Sequence, residues 1–421
     1  MNVSLSPSLP NGKIQAISSK SAAHRILICA AFADKPTVIR CGRTNKDITA
    51  TAECLSALGA QIKYEKPYFY VEPISTPKSN VSLNCNESGS TLRFLLPVVS
   101  ALGISAELNM RGRLPERPLS PLYEELIGHG AVLSPMGTSP LKCDGKLVGN
   151  EYRIRGDVSS QYISGLLFAL TFSGEGGRLI IEGKTESAPY VDMTVDALRI
   201  FGAEPTKTDY GYSVAKGARL ISPTRIDVEG DWSNAAFPLC MGAIGGGSVT
   251  VCGLSQFSRQ GDSKIVDLLR GFGADVQVSG DEYTVSGGKP LHGIDIDASQ
   301  IPDLVPVLAT VAAVSEGTTT IRGAARLRLK ESDRIESVCS MLSSLGADAK
   351  ATDDGLVIYG KSRLCGGTVD SFNDHRIAMS AAVASVATEN GVTVSGAECV
   401  EKSYPDFWND IEAYLSISIK K

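Results

Sequence analysis

The sequence predicts an α/β protein of two domains, each built from three copies of one strand–helix–strand–helix–strand–strand unit, with the most apolar helices inside and the sheets outside. Three observations predict it: the length, a repeated tripeptide, and the alternation of two kinds of helix. At 421 residues the chain is too long for one ordinary core, and two domains of about 200 residues each suit that length. The tripeptide "LGA" (Leu58–Ala60) recurs as "HGA" (129–131), "FGA" (201–203), "FGA" (272–274) and "LGA" (345–347), so its glycines at 59, 130, 202, 273 and 346 lie 71, 72, 71 and 73 residues apart. One such pair is chance; five in phase mark a duplicated unit.

Each tripeptide closes a segment of helical periodicity and opens a strand, as in "DITATAECLSALGAQIKY", "YVDMTVDALRIFGAEPTK" and "RIESVCSMLSSLGADAKA". The glycine reads as a left-handed C-cap from which a strand can start directly. About forty residues upstream of each lies a second, more apolar helix, at 21–33, 90–102, 160–171, 233–243 and 303–314. A sixth, at 375–388, is followed by "PDFWNDIEAYL" in place of the next amphipathic helix. Helices without a polar face belong inside. Strand-like runs such as "KPTVIRC", "RLIIEG", "GSVTVCG", "GTTTIRG" and "GVTVSG" follow the apolar helices. The sixth unit is truncated, with only "SISIKK" after its last helix, so residues 1–17 are the expected donor of its missing strand. One domain is then discontinuous, 1–17 plus 228–421, and the other is 18–227.

Composition excludes several classes of function. A formal net charge of -5, with 43% hydrophobic and 21% charged residues, describes a soluble, mildly acidic protein, and nucleic acid, which demands a basic surface, is not an expected partner. The opening "MNVSLSPSLPNGKIQ" has neither the basic nor the apolar region of an export signal. The best apolar stretches, Leu304–Val314 and Ile377–Ala387, are interrupted well short of the ~18 residues of a membrane span. The expected location is therefore cytoplasmic, with no membrane partner. Ten cysteines are scattered without a C-x-x-C pattern, which fits small buried hydrophobes rather than a metal site.

The chemistry gathers where the apolar helices begin: "SKSAAHR", "NESGSTLR", "VSSQYISG", "GDWSNAAF", "IPDLVP" and "NDHRIAM". A helix start carries four unpaired N–H groups and a partial positive charge. Ser21, Ser90, Ser160, Asn234 and Asp303 are each expected as N-caps contributing ~1 kcal/mol. Capping does not explain Lys20, Arg25, Arg93 and Arg376, which sit within a turn or so of these starts, where cations are disfavoured. An anion held between them does. Loops add Arg111, Arg113 and Arg117 in "RGRLPERPLSP", Arg326, Arg328, Lys330 and Arg334 in "RLRLKESDRIE", and Lys402 in "VEKSYPD". Among these cations stand Glu331, next to Lys330, Asp303 between apolar residues and prolines, and the run Asp374, His375, Arg376. Asp303 reads equally as a cap or a partly desolvated base. Glu331 reads equally as a surface partner of Arg334 or an acid. Together they argue for a small substrate with more than one phosphate or carboxylate.

Nine segments in order, "SKSAAHR", "GSTLRF", "LPERPLSP", "GDVSSQYISGLL", "ESAPYVDMT", "IPDLVP", "LKESDRIE", "NDHRIAM" and "EKSYPDF", resemble the EPSP synthase family of enolpyruvyl transferases across nearly the whole chain. The resemblance implies a two-domain inverse α/β barrel-like fold of six βαβαββ units, with the active site in the cleft between the domains. It implies that phosphoenolpyruvate and shikimate 3-phosphate are the substrates, on the shikimate pathway to the aromatic amino acids. It implies no metal or organic cofactor and a monomer. Position by position, Lys20, Ser21, Arg25, Ser159, Ser160, Gln161, Ser187, Tyr190, Asp303 and Lys330 match shikimate-phosphate contacts. Lys20, Gly89, Arg117, Gln161, Arg334, Arg376 and Lys402 match the phosphoenolpyruvate pocket. Asp303 matches the base for the 5-hydroxyl, Glu331 the acid for the enol methylene, and Lys20 and His375 supporting catalytic positions.

Two positions depart from the family pattern: Glu87 stands where Asn is usual, and Arg326 where some members have Asn. The sibling UDP-N-acetylglucosamine enolpyruvyl transferase uses a reactive cysteine in a loop comparable to "RGRLPERPLSP", which has none. A kinase or dinucleotide enzyme lacks its phosphate-loop motif here. A catalytically dead anion-binding homologue would have lost Asp303 and Glu331.

Overall fold

The computed structural model describes residues 1–420. The chain forms two compact units, Ser18–Val228 and Met1–Ile17 with Glu229–Lys421. Twelve α-helices run along the described residues. In the first unit they are α1 (Lys20–Ala31), α2 (Lys46–Leu58), α3 (Gly89–Leu102), α4 (Leu122–Gly128), α5 (Ser160–Phe172) and α6 (Ala188–Ile200). In the second they are α7 (Trp232–Ile244), α8 (Ile265–Phe272), α9 (Val305–Ala313), α10 (Arg334–Ser344), α11 (His375–Ser385) and α12 (Phe407–Leu415). The strands form six four-stranded sheets. The architecture is mixed α/β with repeated units, as the periodicity implied.

In four of the sheets the two strands of a parallel pair directly flank an apolar helix. Val81–Asn86 and Ala106–Met110, for instance, run parallel on either side of α3, and the antiparallel pair Ala131–Leu133 and Leu141–Gly145 completes that sheet. A parallel pair requires such a crossover. The apolar helices are buried all round: every residue of α9 and of α11 is inside. In the second unit α7, α9 and α11 pack on one another, and in the first α3 packs on α5 and α1 on α2 and α6. The outer helices bury one stripe only. In α8, Ile265, Val266, Leu269 and Phe272 point inward while Asp267 and Arg270 face water. The strands alternate likewise, with hydroxyl pairs such as Thr250–Thr284 (2.8 Å) across neighbouring strands.

The five repeat glycines all have positive φ, 122°, 99°, 82°, 100° and 83° at Gly59, Gly130, Gly202, Gly273 and Gly346, which a side chain would resist. The N-terminal segment does more than supply one strand. Asn2–Leu5 pairs with Val392–Ser395 in the last sheet, and Asn11–Gln15 runs parallel to Ser248–Cys252 in another. The first sheet is likewise completed from afar, by Arg225–Asp227 beside Thr37–Arg40. Eight of the ten cysteines are buried and all are free. Among the described residues no helix is long and apolar enough to cross a membrane.

Candidate active site

In the unit containing the C-terminus, one guanidinium gathers three carboxylates. Arg334 opens α10, only 1% exposed. Its Nη1 donates to Asp303 Oδ1 (2.8 Å), its Nη2 to Glu331 Oε2 (2.8 Å) and its Nε to Asp374 Oδ2 (2.7 Å). Asp374 is the N-cap of α11, accepting from Arg376 N (3.0 Å), and takes a further hydrogen bond from Ser332 Oγ (3.1 Å). Helix capping and ion pairing thereby fix the starts of α10 and α11 against each other. Asp303 lies in the short 3-10 turn Pro302–Leu304 ahead of α9. It also faces Arg376 Nη2 at 3.1 Å and Lys330 Nζ at 3.9 Å. Burial pushes the Asp303 carboxyl up, but Arg376, Lys330 and Arg334 outweigh it and hold the group well below the usual carboxylate range. Its charge is thus secured. Arg334, despite the opposing effect of its own burial, is held above its ordinary value by Asp374, Glu331 and Asp303.

Arg376 makes two further contacts, Nη1 to the Asp303 carbonyl (3.2 Å) and Nη2 to Ser233 Oγ (2.7 Å) at the start of α7. His375 is buried, with Nδ1 3.9 Å from Asp374 Oδ1, beyond hydrogen-bond reach. Lys402 ends the 3-10 turn Ala397–Lys402, which packs against α11. Arg326 donates to the Ser299 carbonyl (2.9 Å). Asp303, Lys330, Glu331, Arg334 and Arg376 therefore form one cluster, with His375 on its rim.

In the other unit the cations also stand at helix starts. Lys20 Nζ pairs with Asp47 Oδ2 on α2 (3.0 Å). Arg25 is buried and binds Thr194 Oγ1 (2.8 Å), the Ser21 carbonyl (2.7 Å) and the Tyr190 carbonyl (2.7 Å), which ties α1 to α6. Burial lowers it to about 10, so it remains charged at neutral pH. Three of its five N–H donors are thereby used. Around α3 and α5, Gln161 accepts from Arg93 Nη1 (3.1 Å) and donates to Ser90 Oγ (2.9 Å). A Cβ on Gly89 would lie 2.5 Å from Arg93 Nη1 and 3.1 Å from Arg117 Nη1, so both guanidinium groups close on that glycine. Ser187 precedes α6 in a left-handed conformation, φ 53°. Glu87 folds over Gly112, whose Cβ would meet its carboxyl carbon at 2.7 Å. It thereby contacts the arginine-bearing loop.

The expected caps are displaced. Ser19, Ser88, Ser159 and Asp231 cap α1, α3, α5 and α7, one to three residues before Ser21, Ser90, Ser160 and Asn234, and α9 has no side-chain cap from Asp303. A cap oxygen must reach forward to the N–H two or three residues on, from outside the helix. The residues that follow are left in the first turn, Ser160 and Asn234 being buried. Sequence reading also missed a buried chain behind them. His24 Nδ1, Thr51 Oγ1, Thr91 Oγ1 and Ser88 Oγ follow one another at 2.7, 2.6 and 2.8 Å, linking α1 and α2 to the α3 cap. Desolvation lowers His24 to about 3, so it is neutral. Thr91 donates to Ser88, so Thr51 donates to Thr91 and His24 donates through Nδ1. No local pattern marks these partners, which are 27 and 40 residues apart.

A family model described as "EPSP synthase (3-phosphoshikimate 1-carboxyvinyltransferase)" matches residues 7–411. The chain belongs to the EPSP synthase family. It is 41% identical to the 3-phosphoshikimate 1-carboxyvinyltransferase of Clostridium kluyveri over 415 residues, covering 98% of this chain and 96% of that one. Identity to the Clostridium acetobutylicum protein of the same name is 42% over 424 residues, covering 97% and 96%. Among solved structures, the EPSP synthase of Acinetobacter baumannii superposes with a TM-score of 0.82 at 27% identity, covering both chains completely. The enolpyruvyl transferase NikO of Streptomyces tendae shares the fold, with a TM-score of 0.79 at 19% identity over 100% of this chain and 98% of that one. On this family fold Asp303, Lys330, Glu331, Arg334 and Arg376 stand in one cluster, while Lys20, Arg25 and Arg93 hold separate partners at the starts of α1 and α3.

Proposed function

We propose that the chain transfers the enolpyruvyl group of phosphoenolpyruvate to the 5-hydroxyl of shikimate 3-phosphate and releases phosphate. The observation that carries this reading is the Arg334 guanidinium joined to Asp303, Glu331 and Asp374 in a chain whose family match spans nearly its whole length. Asp303 takes the proton of the 5-hydroxyl as that oxygen bonds to C2 of phosphoenolpyruvate, while Glu331 delivers a proton to the methylene carbon. A proton then leaves the resulting methyl group as the bond from C2 to the phosphate oxygen breaks, restoring the double bond. The net proton from the hydroxyl departs with phosphate. One carboxyl must give a proton while the other stays ionised. Three cations around Asp303 serve the second need.

With Asp303 held so low, it is a poor base until substrate anions draw Arg376, Arg334 and Lys330 away from it. Binding and basicity are therefore linked in this reading. Lys20, Gly89, Arg117, Gln161, Arg334, Arg376 and Lys402 are the phosphoenolpyruvate contacts of this reading. Lys20, Ser21, Arg25, Ser159, Ser160, Gln161, Ser187, Tyr190, Asp303 and Lys330 bind shikimate 3-phosphate, and His375 supports the Asp374 end of the cluster. The enzyme acts as a cytoplasmic monomer, where both phosphorylated substrates reside. A coupled phosphate-release assay tests the reading: release requires both substrates. Release with UDP-N-acetylglucosamine in place of shikimate 3-phosphate, or none with either acceptor, overturns it.

A further inference from the structure

We propose that His24 is a positioning residue for phosphoenolpyruvate binding, holding the start of α3 at Gly89 through the hydroxyls of Thr51, Thr91 and Ser88. The inference rests on Gly89 being a phosphoenolpyruvate contact, and it gives a role to a buried histidine that the proposed reaction leaves unused.

All four side chains are fully buried, so each must find its partners inside the protein. Two rungs set α2 on α1. Lys20 Nζ pairs with Asp47 Oδ2 (3.0 Å), and one turn further along both helices His24 Nδ1 meets Thr51 Oγ1 (2.7 Å). From α2, Thr51 Oγ1 reaches Thr91 Oγ1 on α3 (2.6 Å), and Thr91 Oγ1 donates to Ser88 Oγ (2.8 Å). Ser88 Oγ also accepts from Thr91 N (3.2 Å), the bond that caps α3. Two accepted bonds hold that hydroxyl in one rotamer, and Gly89 follows it directly in the chain.

The hydrogens of this relay run one way. Thr91 gives its single hydroxyl hydrogen to Ser88, so it accepts from Thr51, and Thr51 in turn accepts from His24, whose ring carries its hydrogen on Nδ1. The other ring nitrogen, Nε2, is buried without a hydrogen-bond partner. A polar atom is thus kept inside at a cost, and the Nδ1 bond is what the histidine supplies in return. The far end of the relay bears on the substrate because Gly89 is closely hemmed in: a Cβ there would lie 2.5 Å from Arg93 Nη1 and 3.1 Å from Arg117 Nη1. Cutting the relay frees the Ser88 hydroxyl to turn, so the first turn of α3 and the guanidinium groups against it lose their fixed position. Arg25 is held independently by Thr194, Ser21 and Tyr190, so the loss falls on phosphoenolpyruvate rather than on shikimate 3-phosphate.

The test is steady-state kinetics on the full-length enzyme and its Thr51→Val, His24→Leu and His24→Asn variants, with nitrogen NMR of histidine-labelled protein beside it. Thr51→Val keeps the shape and removes the middle hydroxyl, and His24→Leu removes the first donor. His24→Asn restores an N–H the same number of bonds from the backbone as Nδ1. The first two are each expected to raise KM for phosphoenolpyruvate about fivefold, with kcat and KM for shikimate 3-phosphate within about twofold of wild type. His24→Asn is expected to stay within about twofold in all three. In the wild-type enzyme the His24 ring, assigned by its loss in His24→Asn, is expected to carry its hydrogen on Nδ1. An unchanged KM for phosphoenolpyruvate in folded Thr51→Val, His24→Asn as impaired as His24→Leu, or a His24 hydrogen found on Nε2 overturns the proposal. If Thr51→Val does not fold, the two His24 variants and the position of the ring hydrogen decide. Absence of transfer by the wild-type enzyme would overturn the functional reading and this role with it, whereas wild-type kinetics in Thr51→Val would overturn the role alone.

Discussion

Replacing Asp262 with Asn is expected to stabilise the protein, and the gain should depend on pH in a defined direction. Desolvation, with Asp303 nearby, moves this carboxyl from its ordinary 3.8 to about 6, which at ~1.4 kcal/mol per tenfold is roughly 3 kcal/mol of folding free energy. The sign follows from which state holds the proton. Below about pH 4 the group is protonated both folded and unfolded, and ionisation costs the fold nothing. As pH rises through about 6 the native carboxyl must ionise in a buried site, and the full cost is present above that. An Asn at 262 never ionises, so the variant escapes the cost. Its amide N–H groups offset roughly 1 kcal/mol of the gain if they find no partner. About 2 kcal/mol remains, worth roughly 4–8 °C in Tm for a unit of about 200 residues. Thermal melts followed by circular dichroism at pH 4.5 and pH 7.5 read this directly: a small gap at the lower pH and the full gap at the higher. A variant that melts below wild type at pH 7.5, or a gap equal at both, would refute the reasoning.

Other perturbations act on the charged residues at the helix starts. Glu331→Gln should bind shikimate 3-phosphate nearly as wild type does while turnover falls at least ~100-fold, checked by calorimetry beside steady-state rates. Arg334→Met leaves Asp303, Glu331 and Asp374 without their shared partner, a loss of about 3–5 kcal/mol that chemical denaturation should register, and that should shrink at acid pH as the carboxylates protonate. Gly89→Ala pushes a methyl against Arg93 Nη1 and breaks its hydrogen bond to Gln161, so KM for phosphoenolpyruvate should rise about tenfold with little change in Tm.

Much of the architecture was legible because it is periodic. The spacing of Gly59, Gly130, Gly202, Gly273 and Gly346 exposed the repeat, and positive φ at each explains why glycine recurs there. Lys and Arg at helix starts pointed to anions because the dipole argues against cations in that place. What stayed hidden depends on distance in sequence. Arg25 reads as a substrate ligand, yet most of its donors are spent on Tyr190 and Thr194 of α6 and on Ser21. Nothing near Arg25 announces partners 165 and 169 residues away. Cap positions were misplaced by up to three residues because backbone dihedrals, not residue type, decide which Ser or Asp faces outward. Glu331 could be weighed but not decided from "LKESDRIE"; its pairing with a buried Arg334 that also holds two other carboxylates takes it out of the class of surface ion pairs. The strand exchange of residues 1–17 is foreseen only in part, since truncation of the last unit calls for one strand and gives no sign of the second.

The central claim is that Glu331 protonates the enol carbon while Asp303 takes the hydroxyl proton. Turnover in D2O, with the product read by NMR, tests it most directly. Addition followed by elimination passes through a methyl group that has gained a solvent-derived deuteron, so deuterium should appear in the enolpyruvyl methylene of the wild-type product. Glu331→Gln should lose turnover and labelling together. Product formed at the normal rate with a methylene free of deuterium would contradict a proton delivered to carbon, and with it the role given to the carboxylates around Arg334.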